Sequence, residues 1–371
     1  MVSFFKKLLT RKSQGVGLEI TPERLNVAQI AKQGQNYKLV KCCSSDIPEG
    51  IFEEGKIVDS PALAELIQEV LKENKINSKR VATGVPMRES IIRIIPIPSE
   101  LDDQELRNLV LNHEASLYLP YPREEVDLDY QKLGYFQDED GIEKVQVLLI
   151  ATRREITDAY RSTFQRAGLQ LDVLEINSFA LIRTIREQLR QFSSNEAAVI
   201  IDIEFDNTEI AIVVDGVPQF SRTVPIGTFQ LQNALSRAMN LPTSRSPEIL
   251  LGMTIPVTAF DSLSTNTGTA QVSTNAGIMA LMRVLGELTD ELRRSINFYL
   301  NQSDELEIVQ SLLAGPGGGI AQLDEYFTQR LSVPTMAIDP ITSLNLDTTQ
   351  EIPNAQRPGL GTVLGLGLRE V

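Results

Sequence analysis

The chain has 371 residues, 42% of them hydrophobic and 23% charged, enough for two or three domains that each bury a core. Its formal net charge of −14 excludes sequence-independent nucleic-acid binding, which rests on Lys and Arg neutralising phosphates. A single histidine and two adjacent cysteines, Cys42 and Cys43, exclude a Cys/His metal cluster and a disulfide framework, and fit a reducing compartment.

Along residues 1–12, Phe4, Phe5, Leu8 and Leu9 are interleaved with Lys6, Lys7, Arg11 and Lys12, which reads either as a solvated, poorly ordered tail or as a basic amphipath suited to peripheral contact with an anionic membrane. It is shorter than the ~20 apolar residues that a spanning helix needs, and no secretory cleavage pattern follows it. Strands are expected at 16–20, 25–30 and 37–40, with a turn at Gly34. Ser60-Pro61 predicts a helix start, Ser capping free N–H groups and Pro pre-set for the first helical position. Leu63, Leu66, Ile67, Val70 and Leu71 then share one face, and 81–85 reads as another strand.

From Met87 a β-α-β-β-α-β module is expected, ending at Ile176. Its parts are a strand at 91–97 ended by Pro96 and Pro98, and a helix at 99–118 with Leu106, Leu109, Val110, His113 and Leu117 on one face. Two strands, 126–135 and 144–151, flank an acidic turn, followed by a helix at 153–166 stopped by Gly168 and a strand at 169–176. His113, on an apolar stripe, is expected to be a packed or interface residue rather than a catalytic one. A helix at 178–192 and the linker Ser193-Ser194-Asn195 return the chain to the first half.

The stretch 197–220 begins the second half: an apolar run to Asp202, a polar turn, a second apolar run, and Asp215-Gly216, a strong signal for a two-residue hairpin turn. Aligning Glu19-Ile20-Thr21-Pro22-Glu23 with Asp202-Ile203-Glu204-Phe205-Asp206 also aligns Val27-Ala28 with Ile210-Ala211. Such an internal repeat predicts a duplicated α/β domain with a cleft between its halves. Further on, a strand at 222–226, a helix at 229–239, an irregular stretch at 241–256, a polar mobile loop at 261–276 and a long helix at 276–300 are expected. A strand at 307–313 runs into Ala314-Gly315-Pro316-Gly317-Gly318-Gly319 and a helix at 323–331, an order that either holds an anion or nucleotide on bare backbone N–H groups or makes a tight turn for packing. A loop at 344–357 and a small-residue helix at 359–369 close the chain.

In order and spacing these pieces resemble the actin-like ATPase superfamily, which includes actin, the Hsp70 chaperones, the sugar kinases and the division protein FtsA, and within it the PilM family of type IV pilus assembly. The resemblance is carried by Val16-Gly17-Leu18-Glu19-Ile20, the module with Leu119-Pro120-Tyr121-Pro122, and Glu175-Ile176-Asn177-Ser178-Phe179-Ala180. Glu291-Leu292-Arg293-Arg294-Ser295-Ile296-Asn297-Phe298-Tyr299, Ala314-Gly315-Pro316-Gly317-Gly318 and Gly365-Leu366-Gly367-Leu368-Arg369 carry the rest. It implies an α/β, duplicated actin-like (ribonuclease H-like) two-lobed fold. The first-lobe core would take 13–86, 177–195 and 358–371, and the inserted module 87–176. The second-lobe core would take 197–235 and 307–357, and its subdomain 236–306.

The resemblance also implies a cytoplasmic scaffold at the inner face of the inner membrane. Such a scaffold captures the N-terminal tail of a PilN-like bitopic protein between the first lobe and the module, with Leu119 and Pro120 as contacts, and couples it to pilus motor ATPases. An FtsA-like polymerising protein and a sugar-kinase-like phosphotransferase are the alternatives. For ATP and Mg²⁺ the resemblance points to Glu19 and Asp202 as water-mediated metal ligands and to Thr208 and Gly227 near the phosphates. Gly315, Gly317 and Gly318 would lie beneath the base, with Glu291 and Arg294 beside ribose and base.

Both phosphate turns depart from the family pattern. The first, in the family Asp-Ile-Gly-Ser-Ser followed by Lys, holds Glu19, Ile20, Thr21, Pro22, Glu23 and Asn26; the second, Asp-Ile-Gly and then Thr, holds Asp202, Ile203, Glu204 and Thr208. The family's Gly-Gly pair is Gly227-Thr228 here. Thr21 and Glu204 put side chains where glycine lets backbone approach a phosphate, and Glu23 and Glu204 add charge that repels one unless Mg²⁺ lies between. No residue is identified as a general base, so turnover is not expected.

Overall fold

A computed structural model describes residues 14–257, 269–302 and 306–369. The N-terminal amphipath and the first half of the expected loop at 261–276 lie outside these residues.

Strands β1 (Gln14–Ile20), β2 (Arg24–Gln33) and β3 (Asn36–Asp46) form an antiparallel meander, with Gly34 at φ +66° in the second turn. Helix α1 (Ser60–Glu73) follows. Its cap is Asp59 rather than Ser60, the carboxylate accepting from the Ala62 N–H at 2.9 Å, and Ser60 is the first helical residue. The apolar face, led by Leu63, Ile67 and Val70, is buried against the sheet. Next, β4 (Arg80–Val85) pairs parallel to β1.

The chain then leaves the lobe. Strand β5 (Ser90–Pro98) contains Pro96 and Pro98 instead of ending before them, which an edge strand tolerates because one side makes no ladder. Helix α2 (Asp103–Leu109) has a capping box at Asp102 and Glu105, and a π-helical turn, Val110–Glu114, continues it. The extra residue in that turn rotates the stripe, so Leu106, Val110 and Ala115 are buried while His113 is exposed and Leu117 is 74% exposed. Of the packed and interface positions expected for His113, the core position is not the one it takes. Strands β6 (Val126–Gln137) and β7 (Glu143–Arg153) complete an antiparallel sheet in the order β5-β7-β6.

The module's expected last helix and strand belong to the first lobe. Helix α3 (Arg154–Arg166) buries Ile156, Tyr160 and Phe164 in the core that holds α1, and Thr163 donates to Ser60 Oγ at 2.8 Å. Strand β8 (Gln170–Ile176) pairs parallel to β4. The separate unit is thus β-α-β-β, from Ser90 to Arg153, and α4 (Asn177–Thr184) leads into the second lobe.

There β9 (Glu196–Ile203), β10 (Thr208–Val214) and β11 (Val217–Val224) repeat the opening meander. Asp215 at φ +49° and Gly216 at +73° make the expected tight turn. Helix α5 (Thr228–Ala238) precedes the long α6 (Thr269–Leu300), which starts before the expected Ala276, inside the stretch read as a loop. Strand β12 (Glu307–Ala314), helix α7 (Leu323–Leu331) and β13 (Thr335–Ala337) complete a sheet in the order β11-β10-β9-β12-β13.

The chain finally recrosses to the first lobe. Strand β14 (Leu346–Asp347), inside an expected loop, extends the first sheet beside β3 to give β8-β4-β1-β2-β3-β14. Helix α8 (Gly361–Gly367) lies so close to β1 that a Cβ on Gly17 would come within 2.5 Å of Gly367 N. Among the described residues no helix is long and apolar enough to cross a membrane.

Candidate functional site

The repeat brings two hairpin turns face to face. In β1–β2, Glu19 is opposite Asn26; in β9–β10, Asp202 is opposite Glu209, at the same place in the repeat. Between the lobes lies a cavity of about 350 Å³ bordered by Glu19, Glu23, Glu204, Glu248 and Glu351. Among the described residues lining it, Arg24 is the one cation, and it pairs with Asp46 at 3.7 Å.

This acid surplus sets the electrostatics. Burial pushes the Glu19 carboxyl up to about 8, with Asp202 and Glu23 adding to the rise and a hydrogen bond from Asn26 Nδ2, at 3.0 Å, opposing it. Burial likewise raises Glu23 to about 7, Asp202 to about 7 and Glu209 to about 8, and lifts Glu204 well above the carboxylate range. Burial thus favours the protonated form of carboxyls in both lobes. No group of three or more His, Cys, Asp or Glu among the described residues converges to hold a metal ion.

Backbone donors at the head of each turn are already used. Thr21 N–H donates to Arg24 O at 2.9 Å, Arg24 N–H to Thr21 Oγ1 at 3.0 Å, and Glu204 N–H to Asn207 O at 2.9 Å. Thr208, fully buried, donates its hydroxyl to Ile226 O at 2.6 Å. Gly227 gives its N–H to Gln230 Oε1 at 2.8 Å, and a Cβ there would strike the Glu204 and Phe205 carbonyls.

The glycine turn after β12 is explained by packing too. Gly315, at φ +73°, sits where a Cβ would be 2.5 Å from Ile203 O, and a Cβ on Gly317 would strike the Ile203 side chain. Gly318 is pressed against Leu313 and Pro358. Their missing Cβ atoms let β12 end tightly against β9. Glu291 and Arg294 do not line the cavity: Glu291 accepts from Arg222 of β11 at 2.8 Å and from Arg294 at 2.6 Å on the flank of α6. Of the nine nucleotide-site residues expected, only Glu19 borders the cavity itself; Asp202 and Asp206 line a smaller neighbouring cavity of about 20 Å³, to which Glu204 also belongs. A triphosphate fits this lining poorly: the Thr21, Arg24, Glu204 and Gly227 amides already donate within the protein, and five Glu side chains border the cavity.

Two arginines that no sequence signal marked join the turns across the cleft. Arg88, just after β4, donates to both carboxylate oxygens of Asp206 at 2.8 and 2.9 Å, and Met87 N–H donates to Glu209 Oε1 at 2.9 Å. In the reverse direction Arg245 donates to Pro22 O at 2.6 Å and lies 5.3 Å over the Phe205 ring.

A second concavity, about 410 Å³, separates the first lobe from the module. Half-buried Leu128, Ile150, Leu174 and Phe179 line it beneath Asp127, Asp129, Asp172 and Arg161. Strands β8 and β6, which border it, are both sheet edges. At its floor burial raises Glu175, but the guanidiniums of Arg183, at 2.6 and 2.7 Å, and Arg369 outweigh that and hold the carboxyl below its usual range. Leu119 instead packs into the module core, and Pro120 borders a separate cavity of about 90 Å³ with Tyr121 and Arg153. The groove residues went unnoticed in the sequence because their spacing is that of ordinary strands.

Two repeated lobes facing across a cleft, with a small sheet inserted in the first, define an actin-like protein. The family model described as type IV pilus assembly protein PilM matches residues 17–249, and the chain belongs to that family. It is similar to the solved PilM-PilN type IV pilus biogenesis complex, at 25% identity over 97% of this chain and 99% of that one, with a TM-score of 0.79. MreB5 of Spiroplasma citri bound to ADP, 11% identical over 90% of this chain and 94% of that one at a TM-score of 0.51, shares the fold alone. Cell division protein FtsA of Streptococcus pneumoniae is 25% identical over 260 residues, 64% of this chain, so the chain spans about half (54%) of that curated relative.

Proposed function

We propose that this chain is a cytoplasmic scaffold of the type IV pilus assembly complex, at the inner face of the inner membrane. It holds the N-terminal tail of a PilN-like membrane protein as an extended segment in the groove between β8 and β6, and so ties that protein to the motor ATPases. The observation that carries this reading is the groove itself, in a chain that matches a PilM–PilN complex over 97% of its length. Each bordering strand has one free edge, and main-chain hydrogen bonds to an edge give an extended peptide its affinity while alternate side chains fill apolar pockets. Leu128, Ile150, Leu174 and Phe179 supply those pockets. Nucleotide has no step in this function.

The test is fluorescence anisotropy with a labelled synthetic tail and the full chain. Leu174→Asp, which places a charge on the groove floor, is expected to weaken binding at least about tenfold, equal to about 1.4 kcal/mol. Pro120→Ala, outside the groove, leaves binding unchanged. Equal affinity in wild type and Leu174→Asp removes the groove from the reading.

A further inference from the structure

We propose that the interlobe cleft is a self-latched joint that excludes nucleoside triphosphates, its two turns being held by Arg88 and Arg245 instead of by a bound anion. The arrangement is reciprocal. Arg88 comes from the first lobe and grips Asp206 in the β9–β10 turn with two charge-assisted bonds, at 2.8 and 2.9 Å. Arg245 comes from the second lobe and grips the β1–β2 turn through Pro22 O at 2.6 Å, while its guanidinium covers Phe205. Glu209 completes the first latch by accepting the Met87 N–H. Each lobe is thus fastened to the turn of the other that faces the cavity.

Exclusion of a triphosphate rests on three further observations. The Thr21, Arg24, Glu204 and Gly227 amides donate within their own turns or to Gln230, so binding a phosphate there costs a bond already made. Glu23 and Glu204 border the cavity, and Glu23 Oε2 is buried with no hydrogen-bond partner, presenting an acceptor where an anion needs donors. The lysine that the family pattern carries is Asn26, whose amide is committed to Glu19 Oε2 and whose oxygen accepts from Ser44 Oγ at 2.8 Å. This inference does not depend on the pilus reading, because it concerns the cleft and not the groove.

Isothermal titration calorimetry of the full chain with ATP and Mg²⁺ is expected to give no saturable heat into the millimolar range. Saturation at micromolar ATP overturns the exclusion. Hydrogen–deuterium exchange tests the latch: the Arg88→Ala/Arg245→Ala double variant is expected to exchange at least about tenfold faster over 19–26 and 202–209, with the sheet interiors as protected as before. Should that variant not fold, Arg245→Lys, which keeps the charge but loses the planar donor, is expected to raise exchange over 19–26 alone. Wild-type exchange at both turns in the folded variant overturns the latch.

Discussion

Two sets of buried carboxyls in this molecule respond to pH in opposite senses. Glu175 is held ionised by Arg183 and Arg369, so its contribution is present above the ordinary carboxylate range and is lost as pH falls. Glu175→Ala strands two guanidiniums and is expected to cost about 1–3 kcal/mol at neutral pH, read from the denaturant midpoint. In the cleft the sign reverses. Glu23 and Asp202 titrate at about 7 and Glu19 and Glu209 at about 8, against ordinary values of 4.5 for Glu and 3.8 for Asp. Between those limits the native protein holds more protons than the unfolded chain, so stability falls as pH rises from about 4 through about 8. The melting temperature is therefore expected to drop across that window. Glu209→Gln, which keeps an acceptor for the Met87 N–H but cannot ionise, is expected to flatten the drop; a wild-type melting temperature that climbs over the window contradicts the assignment.

At the scale of elements, α8 shows how small residues set spacing. Gly365 faces the Ala180 carbonyl of α4, where any Cβ would collide, and Gly17 faces Gly367 across β1. Gly365→Ala is expected to cost about 1–3 kcal/mol by forcing α8 away from α4 and β1, seen as a lower thermal midpoint with unchanged circular dichroism. Readable in the sequence was whatever local patterning decides: the Asp215-Gly216 turn, the meanders, and α8 as a tightly packing small-residue helix. Lost were features set by distant partners. The parallel pairing of β8 with β4 joins segments separated by the whole module, so periodicity gave the helix and strand but not their sheet. A π-helical turn leaves no mark in an apolar period until it displaces His113 and Leu117. The same limit explains the site. Glu19 and Asp202 were legible as the ends of repeated strands, whereas Arg88 and Arg245 act across lobes and lie in stretches with no repeat. The glycines from Gly315 to Gly318 leave two readings open in the sequence, because a glycine turn that packs and one that binds an anion read alike; the contacts of a missing Cβ show the packing.

For the whole molecule, the groove and the cleft are neighbours through β4, which pairs with β8 on the groove side and runs into Met87 and Arg88 on the cleft side. A ligand in the cleft could bias the groove only by binding two arrangements of the lobes unequally, and coupling of that kind is reciprocal. With the turns latched by arginines and the cavity lined by acids, ATP has no arrangement to prefer. Tail affinity measured by anisotropy is therefore expected to be the same with and without millimolar ATP and Mg²⁺. Releasing the latch is different, because Arg88→Ala frees the end of β4 and lets the β8 edge move. That variant is expected to weaken the tail by a few fold, through faster dissociation, while the tail's association rate holds. If ATP shifts tail affinity in the wild type, the cleft communicates with the groove through nucleotide and the self-latched joint is wrong. If Arg88→Ala leaves affinity untouched, the latch stands but β4 is not the link between cleft and groove.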